Sequence, residues 1–178
     1  PSIIMWSIGN EIGESAETSG LKWATELAAE VRKYDDTRAV TEGMVDAGIF
    51  EGDNAWARKA PHMAQLDVVG YNYGLPKYEA DYEKYPERIV YASEFEPSDG
   101  LEYWEAAEKH PHIIGSFMWT AMDHIGEAGI GVPRIVDEKS KAASNDMAAL
   151  LSFFKGDSWP YVVNYAGNVD LIGNPKVG

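Results

Sequence analysis

The sequence has 178 residues, 45% of them hydrophobic, and a net charge of −14. That is enough chain for one domain with a real core, of globular rather than disordered composition. The acidic balance argues against nucleic acid or anionic membrane as a partner, because phosphate contacts need clustered Lys and Arg. No apolar run is long enough to span a bilayer, and the lack of cysteine excludes disulfides and thiolate metal sites.

The run Ile3 to Ile8 is apolar, with β-branched and aromatic residues, and breaks at Gly9, Asn10 and Glu11. Bounded by glycine, it predicts a strand buried on both faces, as in a parallel sheet. A loop follows in which Thr18 and Ser19 are candidate N-caps. Leu21, Ala24, Leu27, Ala28 and Val31 then recur on one face of a helix running to about Tyr34. Ala39 to Glu42 reads as the second strand, and Gly43 to Asp53 as a loop. Asn54 to Met63 has helical character but contains Pro61. Val68 to Tyr73 is the third predicted strand, and Lys77 to Tyr85 a polar helix closed by Pro86. Ile89 to Glu94 is the fourth strand. Ser98 or Asp99 caps the next helix, with Leu101, Trp104 and Ala107 on one side, and Ile113 to Trp119 forms the fifth strand. From Thr120 the alternation stops. A long loop follows, with a helix near Asn145 to Phe154 and a Gly- and Asn-rich end.

Strands alternating with helices predict an α/β fold with a parallel sheet. No strand leads into a Gly-rich phosphate turn, which argues against a nucleotide-binding domain. Polar residues close all the predicted strands: Glu11, Glu42, Asn72 with Tyr73, Glu94, and Thr120 with Asp123. That is the geography of a (β/α) barrel, whose active site lies at the carboxyl ends of its strands. A complete barrel takes eight strands and about 250 residues, so this chain reads as part of one. Two strand-end glutamates, Glu11 and Glu94, suit acid/base work on a glycosidic bond. The plainer alternative is an acid favoured by a helix N-terminus. Pattern alone leaves both open.

Three ordered motifs, PSIIMWSIGNE, YASE and GSFMWTAMDHIGE, resemble the catalytic domain of glycoside hydrolase family 2, which holds β-galactosidases, β-glucuronidases and β-mannosidases. The resemblance implies that residues 1–178 form an incomplete (β/α)₈ TIM barrel, strands four to eight, without the first strands and the final helix. It implies an exo-acting, retaining β-glycosidase, with β-galactosides the first choice of substrate. By the same resemblance Glu11, in the Asn-Glu motif, would be the acid/base, and Asn10 would bind the sugar 2-hydroxyl. Glu94 would be the nucleophile, Tyr73 would donate to it, and Trp119 would form the aromatic floor of the sugar site. The chemistry requires a protonated carboxyl beside the leaving oxygen and an ionised one below the anomeric carbon, about 5–5.5 Å apart. No cofactor or metal is needed. The expected partner is a carbohydrate, and the chain is expected to belong to an oligomer or a larger multidomain protein, an expectation shared by its start without Met.

Other motifs carry less. In β-glucuronidases of this family an Asn-x-Lys pattern grips the uronic carboxylate, which makes Asn174 and Lys176 candidate substrate contacts and uronate specificity an alternative to neutral sugars. Other members have a Gly-x-x-Lys turn at that place. His110 and His112 have metal-like spacing but lie between a helix and a strand, and read as solvated loop. Asp123 and Glu127 read as loop anchors, and His124 as a packing residue. A non-catalytic carbohydrate-binding domain on the same scaffold would also keep Trp119 and Tyr73; the presence of both glutamates favours the enzyme. An unclosed set of strands leaves edges and an apolar face in need of cover, so the chain is expected either to self-associate or to be part of a larger protein.

Overall fold

The computed structural model of the protein describes residues 2–46, 54–131 and 162–176. Its first element, strand β1 (Met5–Asn10), starts later than the apolar run from Ile3 and has no fully buried residue, so it is not the strand buried on both faces that the run predicts. The chain divides into two compact units: Pro1–Phe95 with Asp99–Met118, and Glu96–Ser98 with Trp119–Gly178.

In the first unit β1 leads through a short 3₁₀ turn, Gly13–Ala16, into helix α1 (Thr18–Tyr34), then β2 (Ala39–Val45). Two single-turn helices follow, α2 (Ala55–Arg58) and α3 (Ala60–Met63), then β3 (Val69–Asn72) and α4 (Tyr78–Lys84). β4 (Val90–Phe95), α5 (Gly100–Lys109) and β5 (Ile113–Met118) complete it. The strands form one parallel sheet in the order β1-β2-β3-β4-β5. Each strand pairs with its predecessor because a helix returns the chain across the same face each time.

Alternation along the strands divides their side chains between two faces. Val40, Met44, Val69, Tyr71, Val90, Ala92 and Ile113 point to the helices, where Ala28, Met63, Tyr78 and Tyr103 complete the core. Each large apolar side chain buried there contributes on the order of 1.5–3 kcal/mol. Tyr71 adds a polar anchor: its hydroxyl donates to Asp81 of α4 at 2.6 Å and accepts from Arg88 at 3.0 Å. Trp56 of α2 donates to the same carboxylate at 2.9 Å. Burial first, and then the bond to Asp81, push the Tyr71 hydroxyl's pKa up, so it stays protonated.

Several expectations need correction. On α1 the buried positions are Gly20, Ala24 and Ala28, while Leu27 is 43% exposed. On α5 the core contact comes from Tyr103, Ala106 and Ala107; Leu101 and Trp104 face outward. The face expected on α1 holds at Ala24, Ala28 and Val31 and fails at Leu27, whereas on α5 it holds only at Ala107. The single helix expected over Asn54 to Met63 is broken at Lys59, because Pro61 fits only a first turn and starts a new helix. Neither Thr18 nor Ser19 caps α1, whose N-cap is Glu17. The loop expected from Gly43 begins as strand, since β2 runs on to Val45. His112 is not a solvated loop residue: its ring stacks on Tyr82 at 4.0 Å, with both nitrogens buried. Burial, and then neighbouring His110, lower its pKa and so favour the neutral ring.

In the second unit β6 (His124–Ile125) pairs antiparallel with β7 (Val163–Asn164), a ladder too short to show in the sequence. Buried Asp123 holds this unit together, accepting from the Gly167 amide at 2.9 Å and the Lys176 amine at 2.7 Å. The helix expected near Asn145 to Phe154 lies outside the described residues. Among those residues, no helix is long and apolar enough to cross a membrane.

Candidate active site

The face of the sheet turned away from α1, α3, α4 and α5 carries the candidate residues at its carboxyl end. Two strands there carry an extra residue before their glutamate. In β1 the register moves from Ser7 opposite Thr41 to Asn10 opposite Gly43, three residues against two. In β4 it moves from Tyr91 opposite Gly70 to Glu94 opposite Asn72, again three against two. Such bulges re-aim side chains and strengthen local twist. The β4 bulge lets Ser93 and Glu94 leave the helix-facing core while Phe95 returns to it.

At the end of β1 the backbone of Glu11 takes φ 51°, and just past β3 that of Tyr73 takes φ 55°. These are left-handed conformations that cost a non-glycine residue on the order of 1 kcal/mol or more and concentrate at functional sites. Backbone bonds hold both. The Glu11 amide donates to the Gly43 carbonyl at 2.8 Å, and the Tyr73 amide to the Glu94 carbonyl at 2.9 Å.

Two polar groupings result. In one, the Tyr73 hydroxyl donates to Glu94 Oε2 at 3.0 Å, a charge-assisted bond to a carboxylate. In the other, Asn72 Nδ2 donates to Asn10 Oδ1 at 3.0 Å and to Glu11 Oε1 at 2.9 Å, while Ser93 Oγ donates to Asn72 Oδ1 at 2.5 Å. β1 and β3 are separated by the whole of β2, about 9–10 Å at ordinary strand spacing. A hydrogen bond between their side chains therefore requires a sheet curved towards this face. It also requires an empty position on β2. A Cβ at Gly43 would stand 2.3 Å from Asn10 Oδ1 and 2.9 Å from Asn72 Oδ1. Gly70, the partner of Gly43 on β3, makes the same kind of room for Ser93, whose Oγ would lie 2.5 Å from a Cβ there.

Asn10, Glu11, Tyr73 and Glu94 thus lie on one end of one sheet, Asn10 and Glu11 joined through Asn72 and Tyr73 bonded to Glu94. The role of Asn72 escapes sequence reasoning, although its place at a strand end and the glycines at matching levels of two strands are visible there. Glu42 departs from the expected geography. It alternates with Gly43 and so faces the helices, where it lies 2.9 Å from His62 Nε2 with both side chains buried.

Trp119, Asn174 and Lys176 belong to the second unit. Trp119 is partly buried, and its peptide bond to Thr120 is cis. The Lys176 amine is engaged by Asp123 and by the Tyr165 carbonyl. The Asn174 side-chain amide donates to Asp170 at 3.0 Å, and the Asn174 backbone amide first, then this bond, lower the pKa of that aspartate. Among the described residues, no group of three or more His, Asp or Glu is arranged to hold a metal ion.

Residues 1–141 match the family described as glycosyl hydrolases family 2, TIM barrel domain. A β-galactosidase of Actinobacillus pleuropneumoniae is 28% identical over 132 residues, covering 69% of this chain and 12% of that protein. A crystal structure of a glycosyl hydrolase family 2 member from Bacteroides cellulosilyticus superposes with a TM-score of 0.75 at 35% identity, over 99% of this chain and 20% of that one. A Bacteroides uniformis β-glucuronidase shares the fold with a TM-score of 0.61 at 19% identity, over 99% of this chain and 22% of that one. The chain thus spans about an eighth to a fifth of these relatives. The matched residues, the parallel α/β sheet and the polar strand ends agree: the chain belongs to glycoside hydrolase family 2 and is part of its (β/α)₈ TIM barrel domain.

Proposed function

We propose that the protein carrying this chain is a retaining exo-β-glycosidase, with β-galactosides preferred, in which Glu94 is the nucleophile and Glu11 the acid/base. The single observation that carries the reading is the bond from the Tyr73 hydroxyl to Glu94 at 3.0 Å, on the sheet end where Glu11 also stands. In the first step a Glu94 oxygen attacks the anomeric carbon as the bond to the leaving oxygen breaks, and Glu11 gives that oxygen its proton. In the second step Glu11, now ionised, takes a proton from water. The water oxygen displaces Glu94 from the anomeric carbon and releases the sugar. Asn10 binds the 2-hydroxyl. The bond from Lys176 to Asp123 favours neutral sugars, because that amine already has a carboxylate partner.

A panel of nitrophenyl β-glycosides tests the reading on the full-length protein. The expected result is fastest hydrolysis of the β-galactoside, with Glu94→Gln inactive on every substrate. Glu11→Gln is expected to lose about 10²–10⁴-fold, the usual contribution of general acid–base catalysis. Binding of sugars without turnover by the wild type would instead identify a carbohydrate-binding domain.

A further inference from the structure

We infer that Asn72 is a positioning residue for the acid/base: its side-chain amide holds Glu11 Oε1 and Asn10 Oδ1 together, and its own orientation is fixed from behind by Ser93. The inference rests on the proposed role of Glu11 and goes beyond it by naming what aims that carboxyl.

The orientation of the amide follows from its partners. Glu11 Oε1 accepts in both states the mechanism uses, as the carbonyl oxygen of the acid and as a carboxylate oxygen, so the group facing it is the NH₂. The carbonyl oxygen then points the other way, where Ser93 Oγ donates to it at 2.5 Å. Asn10 is ordered in turn. It presents Oδ1 to Asn72, which leaves its NH₂ as the end able to donate to a sugar hydroxyl.

The amide itself is built in. Asn72 is 1% exposed, its neighbour Tyr71 is pinned on the opposite face by Asp81 and Arg88, and its backbone stands in register with Glu94. Glu11 and Asn10, by contrast, are exposed at the end of their strand. The buried member therefore sets the position of the exposed ones. Ser93 directly precedes the nucleophile in sequence, so Asn72, bonded to Ser93 at one end of its amide and to Asn10 and Glu11 at the other, couples the end of β4 to that of β1.

Leaving-group dependence separates aiming the acid from merely filling space. A dinitrophenyl glycoside departs without a proton, whereas a phenyl glycoside needs one, and kcat/KM reports only the step that forms the glycosyl-enzyme. The test uses the full-length protein with Asn72→Asp, which keeps the shape but replaces the donor by an acceptor, and Asn72→Ala. Both are expected to lower kcat/KM on the phenyl glycoside about 10–100-fold while changing it less than about 3-fold on the dinitrophenyl glycoside, as befits misplacement of a general acid. Retained activity on the activated substrate also shows that the site is folded. Ser93→Ala, which lets the amide turn over, is expected to show the same pattern at smaller size. Equal losses on both substrates, or phenyl glycoside activity within 2-fold of wild type in both Asn72 variants, would overturn the inference. Glu11→Gln run alongside keeps the two ideas apart: if it too spares the phenyl glycoside, the acid/base assignment itself is wrong.

Discussion

One methyl group at position 43 would part Asn10 from Asn72. Gly43 is an unremarkable strand glycine by sequence, and its φ does not demand glycine; the demand comes from two amide side chains meeting over it. Alanine there would push mainly against the tip of Asn10, a side chain able to swing away, so the cost in stability should be small and the cost in geometry large. Gly43→Ala is expected to lower kcat/KM on a phenyl β-galactoside at least 10-fold while the melting temperature falls by only a few degrees. Steady-state kinetics and a thermal melt on the same sample check it; a large fall in melting temperature with kinetics intact would count against it. Glu11 and Glu94 could be picked as candidates from sequence because each is a carboxylate closing an apolar strand, a pattern that Glu42 shares although it faces the helices. Asn72 and Gly43 could not, because their partners lie two strands or one strand away and meet only through the curvature of the sheet. Curvature leaves no period in a sequence.

At the scale of elements, the strands were readable because parallel strands covered by helices are continuous apolar runs. The helices were harder. α1 meets the core through Ala24, Ala28 and Val31 of its expected face but exposes Leu27, and α5 buries Tyr103 while exposing Leu101 and Trp104, so large apolar residues are a poor guide to these faces. The strand-end acid on β2 was misplaced for a related reason: alternation gives Gly43 to the open face and Glu42 to the helices. There Glu42 and His62 form a polar contact inside an apolar layer, joining β2 to α3 directly behind the site. Buried pairs of this kind contribute little beyond an apolar pair, yet removing one member leaves the other without a partner. His62→Leu is therefore expected to destabilise the protein by about 3 kcal/mol. The double variant Glu42→Leu with His62→Leu should recover most of that loss. Urea unfolding of the wild type, the single and the double variant measures it. A double variant less stable than the single one would show that the pair stabilises the fold outright.

For the molecule as a whole, two opposed forces act between copies of the isolated chain. Among the described residues β1 pairs only with β2 and β5 only with β4, so both outer strands offer unpaired backbone on one side. Ile4, Trp23, Trp104, Ile114 and Phe117 add exposed apolar surface. Open edges and apolar patches draw copies together. The net charge of −14 pushes them apart. The balance depends on screening, whose range falls from about 30 Å at 0.01 M salt to about 10 Å at 0.1 M. Edge pairing and apolar contact act within a few ångströms and do not weaken with salt in this way. Association of the 178-residue chain is therefore expected to be weakest in dilute buffer at neutral pH. It should rise with added sodium chloride, and rise again as the pH falls towards the sequence pI of about 4.6, where the repulsion vanishes. Light scattering across a salt and pH series measures this. If scattering instead falls as salt is added, ion pairs rather than edges and apolar patches hold the copies together, because only contacts between opposite charges are loosened by screening.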